Sequence, residues 1–319
     1  MQVIHRFLMR FILYQNLIEW QKNTRPRWFG RLPIYTVVRF FILEIEKDEL
    51  NTRASAVSFS IFLAIFPTII FLFTLVPYIP IDNLTEEVLL FGKNLLPNDA
   101  YTVVRSTVID ITSNQRGDLL SLGFLLALYF STNGLYALMS AFTKDTYDIF
   151  RTRVWWQKRL VAIGMTLSLS VMLVVAIALI VGSEYLMAQI KKTGNLQDLF
   201  LVHLINISKW AITTGLVFSA ISLLYFWGAA TNKRWRFVSV GSTLATGLFM
   251  ITSIFFSYYV NNFGQYNKLY GSIGTLIVVM LWIYFNTLSI LIGFELNASI
   301  YINKRLVSME QKNTLKKII

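Results

Sequence analysis

The sequence predicts an all-α fold: a polytopic membrane protein built as a six-transmembrane-helix bundle, with N-terminal cytoplasmic interfacial helices and an extracytoplasmic helical hairpin. Three observations lead there. Six uncharged, mostly apolar stretches (54–77, 119–143, 160–183, 210–227, 237–259 and 269–294) are each long enough to cross a bilayer. A hydrocarbon core of about 30 Å takes about 20 helical residues, and inside lipid a helix satisfies its own backbone hydrogen bonds. Hydrophobic residues form 55% of the chain and charged ones 14%, roughly half the charged share of a soluble domain. The third observation is where the basic residues fall. Of 29 Lys and Arg, nine precede residue 54, five lie at 144–159, three at 233–236 and five after residue 303. If the spans alternate, all of these share one side, which the positive-inside rule makes cytoplasmic.

The connections between spans are short and leave no separate polar domain, so residues 1–319 read as a single membrane domain. Cytoplasmic amphipathic helices occupy 1–53, the six-span bundle 54–302, and a cytoplasmic basic tail 303–319. Near the start, Ile4, Phe7, Leu8, Phe11 and Ile12 recur at helical spacing beside Arg6 and Arg10. The pattern fits a helix lying in the interface, or equally one packed on the bundle. It is not a cleavable signal, because Arg10 interrupts the apolar run and no small-residue cleavage site follows. A second helix at 34–50 leads into the first span, and its Glu44, Glu46, Asp48 and Glu49 read as a solvated face.

The connection at 80–118 is the longest. It breaks at Pro97-Asn98-Asp99, a helix stop followed by a cap, with amphipathic runs on both sides. Residues 184–208 have a similar break at Gly194-Asn195. Between spans five and six, the run from Tyr258 to Gly274 is rich in Tyr, Asn and Gly. Tyrosines at headgroup level and an Asn/Gly turn account for it, and a re-entrant loop is the alternative.

Several function classes are excluded. There is no cysteine, so disulfides, thiolate nucleophiles and cysteine zinc sites are out. The only histidines, His5 and His203, are too far apart to suggest a metal pair, and no catalytic constellation or Gly-rich phosphate loop occurs. The reading is therefore no enzyme, no cofactor and no metal. The net charge of +12 is mainly a topology signal rather than a nucleic-acid surface. The partners it implies are the lipid bilayer itself and anionic phospholipid headgroups, at about 1 kcal/mol per basic residue near the surface.

Inside the spans, Ala56, Ser60, Ala64 and Thr68 form a small-residue stripe that lets helices approach closely. Pro67, mid-span, is a hinge candidate because it removes a backbone hydrogen bond. Glu295 is the only acid within reach of a span. Nine residues from Lys304, it lies about 13 Å inward from that basic end. A carboxylate there has to be paired, protonated or facing water. Arg53 is its candidate partner, and Asn133, Asn286 and Asn297 serve either as a polar lining or as interhelical glue. Small-residue stripes serve contacts within and between subunits alike, so the chain does not encode its oligomeric state legibly.

Taken together, Arg53-Ala54-Ser55-Ala56, Phe59, Phe66-Pro67 and Tyr225 form the first part of a pattern. Gly241, Tyr259, Tyr266, Tyr270-Gly271-Ser272-Ile273-Gly274, Leu281-Trp282-Ile283-Tyr284 and Gly293-Phe294-Glu295-Leu296-Asn297-Ala298 complete it. Over residues 44–302 the chain resembles the YihY/virulence factor BrkB family of bacterial inner-membrane proteins, some of which carry a ribonuclease BN label. It departs from that family in lacking a proline shortly after Tyr225 and in placing Phe294, rather than Ala, before Glu295. The resemblance implies an inner-membrane protein of envelope integrity. It leads to the expectation of transport or flipping of a lipid or other amphipathic substrate, with a non-catalytic scaffold for envelope proteins as the alternative. Nothing in the residues supports a ribonuclease.

Overall fold

The computed structural model describes residues 12–29, 32–47, 49–75, 105–106, 109, 117–143, 153–193, 198–231, 235–262 and 266–318. Among these no β-strand occurs, and the chain runs through eight α-helices: α1 (Ile12–Asn23), α2 (Ile34–Lys47), α3 (Leu50–Leu75), α4 (Gly117–Ala141), α5 (Trp155–Thr193), α6 (Asp198–Gly228), α7 (Val240–Asn262) and α8 (Tyr266–Ile318). Five contain stretches long and apolar enough to cross a membrane: Ser121–Ala141, Trp155–Ala176, Ile207–Gly228, Val240–Tyr259 and Leu276–Met309. In α3 the described apolar part is shorter, Leu50–Phe66. Residues 4–11 and 80–104, which hold the first interfacial pattern and most of the expected hairpin, lie outside the described residues.

Packing follows the sequence closely at one end of the bundle. There α3 begins, α4 and α6 end, α7 begins, and α8 passes through. Helix α3 packs most extensively on α4, α7 on α8, and α8 also lies on α2 and α3. The buried core gathers Ala54, Val57, Leu138, Phe142, Ala162, Met165, Tyr225, Leu291, Phe294 and Ala298. Every residue from Gly293 to Ser299 is buried, so α8 is enclosed on all sides at that level. Outward-facing side chains are large and apolar, among them Phe255, 73% exposed, and Val174, 66% exposed. Such surface suits lipid tails. Trp20, Trp28, Trp155 and Trp156 are exposed around the basic end, where indoles sit at headgroup level. Several hydroxyls within the helices are satisfied locally: Ser58, Thr166, Thr246 and Ser289 each donate to the carbonyl four residues back.

Several expectations change on contact with the structure. The face of α3 that packs is Ala54, Val57, Ser58 and Ala64, whereas Ala56 is exposed and Ser60 only half-buried. At 100° per residue, a spacing of four drifts about 40° per step, so the stripe crosses the interface instead of lying along it. The small residue that permits close approach is on the partner, where Gly134 lies against Ile61. Glu44, expected on a solvated face, is buried. Pro67 lies inside an unbroken helix, Leu50–Leu75. The Tyr/Asn/Gly run is helical on both sides, with α7 ending at Asn262 and α8 starting at Tyr266. Residues 263–265 lie outside the described residues. The 303–319 tail continues α8 as helix through Ile318.

Candidate functional site

The site is assembled where α7 and α8 cross. Gly241 opens α7 and Gly293 lies in α8, and each would drive a side chain into the other's carbonyl. Ser239 caps α7: its hydroxyl accepts from the Ser242 amide at 3.1 Å, and its own amide donates to Ser242 Oγ at 3.1 Å. Asn297 then fastens that cap to α8, accepting from the Gly241 amide at 2.8 Å and donating to Ser239 Oγ at 2.9 Å. Its side chain thus acts as interhelical glue.

Beside this crossing lies an aromatic plug. Phe294 stacks on Phe142 with ring centroids 4.4 Å apart and planes at 11°. Trp235 lies 5.3 Å from Phe294 and 6.4 Å from Tyr301, and Tyr225 donates to the Ile290 carbonyl at 2.6 Å. The bulk that distinguishes Phe294 from the family pattern fills the centre of this plug. Next to it, Glu295 is 0% exposed. It lies two residues past the crossing, level with the ends of α4 and α6. A 20-residue span ending there would start at Leu276, the first residue of the apolar stretch of α8. That apolar stretch runs on to Met309, so Glu295 lies inside it, next to Leu296, which packs on Val37 and Phe41 of α2.

Two arginines close neighbouring helix ends. Arg53 Nη1 donates to the carbonyl of Ala141, the last residue of α4, at 3.3 Å. Arg153 Nη1 donates to Gly228, the last residue of α6, at 3.2 Å. Each satisfies a terminal carbonyl and opposes the negative end of the helix dipole. Asn133 belongs to a third clasp: Arg159 donates to its Oδ1 at 2.6 Å and stands over the rings of Tyr129 and Tyr136. Asn286 is buried and donates to the Trp282 carbonyl at 2.9 Å. Tyr259 lies in the last turns of α7, while Tyr266, Tyr270 and Gly271 lie in the first turns of α8 with side chains outside the described set. Asn133 and Asn286 thus sit in contacts of their own, while Gly293 and Asn297 meet α7 at the crossing.

What the sequence reading missed is a cleft of about 560 Å³ against the crossing. Arg236 and Lys304 supply its charge, Trp28, Trp235 and Tyr301 its aromatic walls, and Val238, Val240 and Ile300 its apolar floor. Ser239, Thr243 and Asn297 add polar groups. The basic turn before α7 was visible in sequence, but its meeting with Lys304 depends on the fold. A second, mainly apolar groove of about 350 Å³ lies between α3 and α8, lined by Ser55, Ser58, Ile277, Met280, Leu281 and Tyr284.

These features define an all-helical membrane protein with a cationic, aromatic cleft at the basic end of its bundle. Residues 41–316 match the family described as Virulence factor BrkB, and the chain belongs to that family. It is 31% identical over 258 residues to the "Putative ribonuclease-like protein YfkH" of Bacillus subtilis (strain 168), covering 80% of this chain and 92% of that protein. It is 24% identical over 292 residues to a "UPF0761 membrane protein" of Psychromonas ingrahamii, covering 89% of this chain and 94% of that one. No solved structure matches.

Proposed function

We propose that the protein crosses the bacterial inner membrane six times, with both termini cytoplasmic, and moves a lipid or other amphipathic substrate between leaflets in support of envelope integrity. The observation that carries this reading is the amphipathic lining of the cleft. Cationic tips, aromatic walls and an apolar floor share one opening at the level where the spans end, and such a lining matches a molecule with a polar head and an apolar body. Glu295, buried within one turn of the cleft-lining Asn297, is assigned to the path, and the apolar groove between α3 and α8 offers lateral access for a chain. No catalytic step is assigned.

One observation favours a second reading, a non-catalytic scaffold. Helix α8 runs on past the bundle to Ile318 and presents an exposed surface at 304–309 that a partner can grip. The two readings separate in liposomes containing purified protein and labelled anionic or zwitterionic lipids. Faster exchange between leaflets than in protein-free liposomes, abolished by Glu295→Gln, is the expected result. No acceleration by folded protein would overturn the transport reading in favour of the scaffold.

A further inference from the structure

We infer that the cleft is a binding site for the phosphate headgroup of an anionic amphiphile, an assignment that rests on the transport reading and specifies its substrate class. Three observations point to a phosphate. Arg236 and Lys304 come from different elements, the loop before α7 and the far part of α8, and converge on one opening, while no acidic residue is among those lining it. Two cations without a carboxylate match a group carrying up to about two negative charges, and a guanidinium suits its oxygens. Trp235, in the wall, is buried, and its indole Nε1–H has no hydrogen-bond acceptor among the described residues. A buried donor left in that state is costly, and a shift of the cleft wall that brought an acceptor within its reach would relieve that cost.

The third observation concerns the start of α7, which forms part of the lining. Its amides at Gly241 and Ser242 are already taken by Asn297 and Ser239, so the helix contributes its dipole rather than those donors. The hydrogen bonds therefore come from Arg236 and Lys304. The apolar side chains of Val238, Val240 and Ile300 in the lining favour a headgroup attached to hydrocarbon over a fully hydrated ion. At 81% exposed, Trp28 stands at the rim, where its ring reaches the interface.

The test is a binding titration of the full chain in dodecyl maltoside with dihexanoyl phosphatidate, dihexanoylglycerol and inorganic phosphate. Phosphatidate binding tighter than both, weakened about tenfold by Arg236→Gln and again by Lys304→Gln, is expected for hydrogen bonds to charged groups. Both substituted side chains are exposed, so folding is preserved, and a size-exclusion profile checks it. Unchanged affinity in the double variant would overturn the assignment. So would dihexanoylglycerol binding as tightly as phosphatidate. Inorganic phosphate binding as tightly as phosphatidate would make free phosphate the ligand and remove the amphiphile. Leaflet exchange that persists without cleft binding sinks this site alone, whereas binding without exchange sinks the transport reading alone.

Discussion

Gly241 and Gly293 meet backbone to backbone: a Cβ on either would collide with the carbonyl oxygen of the other. At Gly293 it would also lie 2.6 Å from Ala245 Cβ and 2.6 Å from Tyr225 Oη. The contact sets how closely α7 approaches α8, and through Asn297 and Trp235 it sets the shape of the cleft.

Gly293→Ala is expected to destabilise the protein by about 2–3 kcal/mol, at the upper end for overpacking, because two helix backbones have to part. Helix propensity returns only about 1 kcal/mol. Gly247→Ala is the control, since nothing lies within 4 Å of its added methyl. Thermal unfolding in detergent should separate the two by several degrees, and equal midpoints would refute the close crossing.

Asn297→Ala leaves the Gly241 amide and the Ser239 hydroxyl without their partner on α8. A loss of about 1–3 kcal/mol is expected for the orphaned donor. Asn297→Asp keeps the acceptor and should recover part of it. Unfolding by titration with a denaturing detergent measures the series, and no recovery in the Asp variant would contradict the clasp.

Arg53→Gln and Arg153→Gln should each lower stability by up to about 2 kcal/mol, the value of a cation at a partly buried helix C-terminus. The two effects should add, because the arginines serve different helices. Strong coupling in the double variant would indicate that they act on one another instead.

For Arg159 and Asn133, joined at 2.6 Å, a double-mutant cycle should return a coupling of about 0.5–1.5 kcal/mol. Arg159→Lys should fall short of wild type, as it loses the planar group over Tyr129 and Tyr136. Zero coupling would mean that the hydrogen bond contributes nothing.

The absence of cysteine makes topology directly measurable. A membrane-impermeant maleimide should label Tyr258→Cys, near the end of α7, in intact cells. Ser308→Cys, on the far part of α8, should react only after permeabilisation. Both positions are exposed, and labelling of both from the same side would overturn the proposed orientation.

The helices were legible because the bilayer demands long apolar runs, and the break at Gly194-Asn195 fell between α5 and α6, which end and begin at Thr193 and Asp198. The family pattern also marked Gly241, Gly293 and Asn297. Their joint role was not readable, because 52 residues separate the two glycines and only the tertiary crossing joins them. Glu44 misled for a related reason: a carboxylate run looks solvated until a neighbouring helix covers one of its members. The cleft was the least visible feature, since its lining comes from a short turn at Trp28, the loop before α7, and two helices.

Helix α8 is a single rod of 53 residues, about 80 Å at the α-helical rise. Its tightest hold is at Gly293, and the portion from there to Ile318 is about 37 Å long. That arrangement is a lever with its fulcrum at the glycine crossing. A tilt of about 10° at the fulcrum would sweep the far tip of α8 by about 6 Å while moving Lys304, nearer the pivot, by less than half as much. Small rearrangements around an occupied cleft would thus be magnified at the end of α8, and force applied to that end would be geared down into fine displacements of the cleft wall.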